Sequence, residues 1–170
     1  LRRLRSTLNL YKSLIPNKTH TKVRKELKWL GNVLGVARDW DVFNLALHNM
    51  LAQLPDYKVL QELLTLVTDQ RTSAYTTVRE TLQNRRYSRM LLIFGKWLTR
   101  RSWRLHLDTS TVLRLEQPAV VFASDILDKH YQQVCQEGEQ LMRLGPEQRH
   151  QLRISIKKLA YGVRFFAELY

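Results

Sequence analysis

Five basic side chains crowd the stretch RHQLRISIKKLAY, residues 149–161: Arg149, His150, Arg153, Lys157 and Lys158. His150, Arg153, Lys157, Tyr161 and Arg164 follow at steps of three and four, which puts them on one line of a helix. Like charges at that spacing repel by about 0.2–0.5 kcal/mol per pair. A chain does not gather such pairs for stability, so the line calls for an anion. The layout recurs near the start with Arg2, Arg5, Asn9 and Lys12. It recurs again with Arg24, Lys28, Gly31 and Gly35, where Lys22 and Lys25 stand nearby. The two glycines clear room beside Lys28 for a ligand or another backbone. A solvated helix face mixes Glu with Lys, and these flanks carry almost no acid. Three helices with one unbalanced layout point to a shared anion site. Arginine forks would grip phosphate oxygens in pairs, and lysines would act as point charges.

Other chemistries leave little trace. His150 reads as an anion contact ahead of a general base. His20, His48, His106 and His130 show no metal-ligand spacing, and one cysteine, Cys135, makes no zinc pattern. No paired carboxylates, nucleophile elbow or phosphate-cradling glycine loop is present. Asp39 and Asp41 form the one close acidic pair, and helix capping plus pairing to Arg38 accounts for them. No catalysis and no cofactor is expected from these residues.

The totals agree with an anion partner. The 170 residues carry 28 basic and 15 acidic side chains, a net charge of +13, with a pI near 10.2. Such an excess repels itself unless an anion lies close. Apolar residues make up 44%, enough for a folded core. A single cysteine excludes an internal disulfide and fits a reducing, cytoplasmic compartment. No run of about 18 apolar residues is present, so no spanning helix is expected. Leu1 is not a start methionine and RFFAELY stops in mid-pattern, so the chain is expected to be cut at both ends.

Helices must position these lines. Leu1, Leu4, Leu8, Tyr11 and Ile15 mark a first helix ended by Pro16. Val23, Leu27, Leu30 and Leu34 mark a second, closed by Gly35. Asp39 or Asp41 is expected to cap a third that stops before Pro55. Further helices are expected over residues 57–84, 88–101 and 118–144, with residues 102–117 as a connector. Gly145 should cap the helix before it, and Pro146 should open the last one. There Leu152, Ile156, Leu159, Val163 and Phe166 form the expected apolar stripe, side by side with the cationic line. The result is seven helices and no strand. Residues 1–15 and 156–170 also align at a shift of 155 positions, pairing Arg2 and Arg3 with Lys157 and Lys158. That pairing suggests an internal repeat.

Four segments now carry a resemblance: LRRLRSTLNLYKSLIP, ELKWLGNVLGVARDWDV, YSRMLLIFGKWL and EQRHQLRISIKKLAYGVRFF. Together they resemble the CHAD domain, an α-helical domain named for its histidines, over nearly the whole chain. The Trp-Leu, Leu-Gly and Arg-Asp-x-Asp-Val order of the second segment is the most specific. The final His-x-x-Arg-x-x-x-Lys motif is nearly as telling.

The resemblance implies an all-α fold in which two helical bundles, related by a pseudo-twofold, surround a basic central cavity. It implies binding of inorganic polyphosphate. It also implies a place beside a CYTH-type triphosphatase domain in a bacterial protein, where any metal would belong to that fused domain. Arg2, Arg3 and Arg5 match the first motif, Arg24 and Lys28 the second helix, and Arg38 the Arg-Asp motif. His150, Arg153, Lys157 and Lys158 match the second histidine motif. Lys12 and Arg164 join the site from the helix lines. Ala160 stands where the family usually has Arg, so one phosphate contact is missing or supplied elsewhere. The family carries further helices after this point, so residues 1–170 are expected to be one incomplete CHAD-like domain.

Three alternatives stay open. A nucleic-acid binder would stack bases on Trp40, Trp103 or Tyr161. A phosphohydrolase or phosphotransferase would use His150. A docking or membrane-surface role would turn the basic faces outward.

Overall fold

The structure is a computed structural model that describes residues 1–54, 56–101, 103–104 and 107–170. Among the described residues it is all-α, with seven α-helices and no strand. In chain order these are α1 (Arg2–Leu10), α2 (Asn17–Gln53), α3 (Lys58–Gln83), α4 (Arg85–Arg100), α5 (Thr109–Glu116), α6 (Ala119–Gly138) and α7 (Pro146–Phe166). They fall into two compact units. One joins Leu1–Arg24 to Ser102–Tyr170, and the other is Lys25–Arg101.

The number of helices agrees with the sequence expectation only because two differences cancel. The separate helices expected around residues 23–34 and 39–54 are one 37-residue helix, α2. Gly35 does not close it. A glycine inside a helix costs about 1 kcal/mol against alanine, which is too little to break an otherwise continuous ladder. No glycine takes a positive φ, so the left-handed cap is missing too. Asp39 and Asp41 cap nothing, because they lie inside the helix. The expected stop at Pro55 lies outside the described residues.

The second difference is α5, which forms within the expected connector. Asp108 caps it: its Oδ1 accepts from the Thr111 N–H at 2.9 Å, and its Oδ2 from the Thr111 hydroxyl at 2.9 Å. The Ser110 hydroxyl also donates to Oδ1, at 2.6 Å. These bonds hold the Asp108 carboxyl well below the usual carboxylate range, with the Ser110 bond the largest cause.

Smaller shifts have local causes. α1 ends at Leu10, and a 3₁₀ turn over Lys12–Leu14 precedes Pro16. α4 starts earlier than expected because the Asn84 side chain accepts from the Arg86 N–H at 2.8 Å. Gly145 is not a C-terminal cap. It stands at the N-cap of α7, where its N–H donates to Gln148 Oε1 at 2.9 Å and Pro146 opens the helix.

In the first unit, Leu10, Leu14, Phe122, Ala123 and Phe166 form the buried core. The Tyr11 ring stacks on Phe122 with centroids 5.0 Å apart, and Phe166 meets both edge-on. α7 packs along α6 and α1. Its buried residues are Leu152, Ser155, Gly162 and Phe166. Ile156 and Val163, expected in the packed stripe, are 47% and 50% exposed. The reason is size. A Cβ on Gly162 would lie 3.0 Å from Leu127 Cδ2, so α6 comes closest where α7 has its smallest side chains. The seam runs through Ser155 and Gly162 and leaves the branched residues outside.

In the second unit, Asp41 ties α2 to α3. It accepts from Arg71 Nε at 2.7 Å and from the Tyr75 hydroxyl at 2.7 Å. Glu26 ties α2 to α4 through a forked pair with Arg86 at 2.9 and 3.2 Å. The Arg86 guanidinium also lies 4.1 Å from the centre of the Trp29 ring.

Candidate functional site

All twelve basic side chains expected at the site are exposed: Arg2, Arg3, Arg5, Lys12, Arg24, Lys28, Arg38, His150, Arg153, Lys157, Lys158 and Arg164. Among the described residues none of them is held in an ion pair. The two pairs there are Arg71–Asp41 and Arg86–Glu26. The charges are therefore free to meet a ligand. The first unit holds all of them except Lys28 and Arg38, which lie on the α2 segment of the second.

α7 sorts its cations by direction. At about 100° per residue, Arg153, Lys157 and Arg164 lie about half a turn from the buried line of Leu152, Ser155, Gly162 and Phe166. The cationic line and the packed face were expected side by side, and they are opposite. His150 begins the exposed line and Tyr161 is half-buried beside it. Lys158 departs from the line. It turns toward α6, where its charge acts on His130 and Glu137.

On α2, Arg24 and Lys28 stand one turn apart. A Cβ on Gly35, two turns along from Lys28, would meet nothing within 4 Å. Glu26, the one acid among Arg24, Lys25 and Lys28, is taken up by Arg86. Asp41 and Arg71 hold each other, with Tyr75, in a bond set that draws the Asp41 carboxyl down and raises the Arg71 guanidinium; the Asp41–Arg71 hydrogen bond is the largest cause of both shifts.

Two histidines outside the expected set lie among the cations of the first unit. His20 is 4% exposed and hydrogen-bonds to the Leu8 backbone. Burial lowers its pKa from the ordinary 6.5, and the charges of Lys12 and Arg24 lower it further. His130, half-buried on α6, is lowered by burial, then by Lys158 and Lys129. A histidine kept neutral on folding takes up fewer protons than the unfolded chain below its ordinary pKa. Stability is then full above 6.5 and falls as pH drops toward the folded value. The urea midpoint is therefore expected to fall between about pH 7.5 and about pH 5.5, and His20→Gln should reduce that fall. An equal fall in both proteins would remove His20 from the account.

A cleft of about 480 Å³ opens in the first unit. Lys12 reaches it from the 3₁₀ turn, Asn17 from the start of α2, Arg114 from α5, and Asp125, Lys129 and His130 from α6. Of these only Lys12 was expected at a site. Among the described residues no group of three or more His, Cys, Asp or Glu side chains is placed to hold a metal ion, and no helix is long and apolar enough to cross a membrane.

The geometry defines a basic, all-α protein with unpaired cations along exposed helix lines. The chain belongs to the CHAD family: the CHAD domain model matches residues 1–170. Among solved structures it is similar to the CHAD domain from the plant Ricinus communis, at 26% identity and a TM-score of 0.69. That match covers 98% of this chain and 52% of the plant chain, so this chain spans about half the length of its structural relative. No curated protein matches it.

Proposed function

We propose that this chain is a polyanion-binding module whose ligand is inorganic polyphosphate. The observation that carries the reading is the unpaired, exposed line of Arg153, Lys157 and Arg164 on the side of α7 away from the core. A phosphate polymer offers the same oxygens at every position, so a row of arginine forks and lysine charges can hold it in any register. The driving term is counterion release, as for other dense polyanions. In this reading the domain acts in the cytoplasm as an accessory to a triphosphatase, including a fused CYTH domain, and does no chemistry itself.

Two features weigh against the nucleic-acid and enzyme readings, while the outward α7 line is also what a docking or membrane-surface role would show. Single-strand binders without sequence preference stack bases on aromatic side chains. Here Trp29 lies under the Arg86 guanidinium, and Trp97 and Trp40 pair with Phe94 and Phe43. A catalytic base needs a partner that orients it. Among the described residues no hydrogen bond holds the exposed His150.

A competition titration tests the reading. Long-chain polyphosphate bound to the protein should resist displacement by duplex or single-stranded nucleic acid at equal phosphate concentration. Displacement at parity would transfer the function to nucleic acid. The same samples should release no orthophosphate, and a release abolished by His150→Ala would make the protein an enzyme.

A further inference from the structure

We propose that the cleft of the first unit is a separate seat for a terminal phosphoryl group, the dianionic end of a short phosphate chain or of a polymer. The proposal rests on the polyphosphate reading for its ligand class but not for its residues. Apart from Lys12, its charged groups belong to no cationic line considered above.

Five segments converge on the cleft. Lys12 enters from the turn after α1, Arg114 from α5, and Lys129 with His130 from α6, while Asn9 and Asn17 add neutral polar groups. Three full cations face one carboxylate, Asp125. Asp125 has no ion-pair partner among the described residues, so it cancels no single cation at contact distance. The excess is two positive charges in a concave site, which matches the two charges of a terminal phosphoryl group and exceeds the one carried by an interior phosphate.

His130 adds a second match. Burial, then the cations Lys158 and Lys129, lower its pKa from the ordinary 6.5 and so favour the neutral ring, which offers one donor and one acceptor. A chain end carries a proton that titrates near neutrality and needs such a partner. An interior phosphate has no such proton. The start of α2 lines the cleft with Asn17. Its first turn, from Asn17, holds no acidic residue, and the N–H groups of a first turn favour an anion.

Size separates this site from the helix lines. An exposed line reads length, whereas a cleft of about 480 Å³ falls within the usual range for small-ligand pockets and holds only a few phosphates. Its inner wall is apolar, from Leu10, Phe122 and Ile126, and Leu10 and Phe122 belong to the core. That wall fixes the shape of the cleft and lowers the local dielectric around the charges.

The test is calorimetric titration of the full chain with tripolyphosphate and with long-chain polyphosphate. R114Q/K129Q is expected to weaken tripolyphosphate binding by about tenfold or more. Tripolyphosphate binding unchanged in R114Q/K129Q overturns the cleft assignment. Long-chain binding unchanged in R153Q/K157Q overturns the reading of the α7 line instead, so the two failures are distinct. End-blocked long chains identify the source. If R114Q/K129Q weakens free-ended chains and spares end-blocked ones, the occupant is the polymer end. If it weakens tripolyphosphate and spares both long forms, the occupant is a free short phosphate. Equal weakening of free-ended and end-blocked chains overturns the terminal-group assignment. In the unaltered protein the His130 ring resonances should shift with tripolyphosphate while those of His48 do not, and an unmoved His130 overturns the proposal without any variant.

Discussion

Phe166→Ala is expected to lower the free energy of unfolding by about 3–5 kcal/mol, the usual cost of emptying a buried aromatic site. Phe166 is 2% exposed and closes the core of the first unit. Its ring meets Tyr11 at 6.4 Å, Phe122 at 6.2 Å and Phe165 at 4.9 Å between centroids, all edge-on. Removing it takes away buried area and three ring contacts, and close-packed neighbours relax only in part. Ile156 gives the contrast. The sequence places it in the same stripe, yet it is 47% exposed. Ile156→Ala should therefore cost at most about 1 kcal/mol, near the range of surface substitutions. Urea unfolding followed by circular dichroism measures both. A cost for I156A equal to that for F166A would restore the stripe expected from the sequence and contradict the observed seam.

The second large effect concerns binding and should leave the fold alone. R153Q/K157Q/R164Q removes the exposed line of α7 and touches none of its buried residues. Arg153 and Lys157 repel each other at one-turn spacing, so their loss should leave the melting temperature unchanged or slightly raised. Long-chain polyphosphate affinity should fall on the order of a hundredfold at physiological salt, because three phosphate contacts and their released counterions are lost together. A lower melting temperature with affinity retained would make these side chains structural.

Much of this was legible because period and charge are local properties. The all-α class followed from steps of three and four, whereas the exposure of the assigned cations leaves their shared site a proposal. What the sequence hid depends on partners far along the chain. Gly35 and Asp41 look like a helix stop and a helix start. Only the bonds from Arg71 and Tyr75, about thirty residues on, show that Asp41 works from within α2. Ser155 and Gly162 were read past because a seam of small residues has no hydrophobic signal, and its value lies in letting Leu127 come close. Asp108 was the missed local signal: Asp-Thr-Ser-Thr is an N-cap followed by hydroxyls, and reading it would have placed α5. Without α5, Arg114 had no position, so the cleft it shares with Lys129 and His130 stayed invisible.

The central claim is that a polymeric phosphate is held by displacing counterions along exposed helix lines. The most direct measurement is the affinity for long-chain polyphosphate across a salt series, for the unaltered protein and for R153Q/K157Q. The account predicts log K falling linearly with log salt at a slope of about −3 or steeper, flattening by about 1.5 in the variant. A slope near zero, or one the variant leaves unchanged, would contradict it.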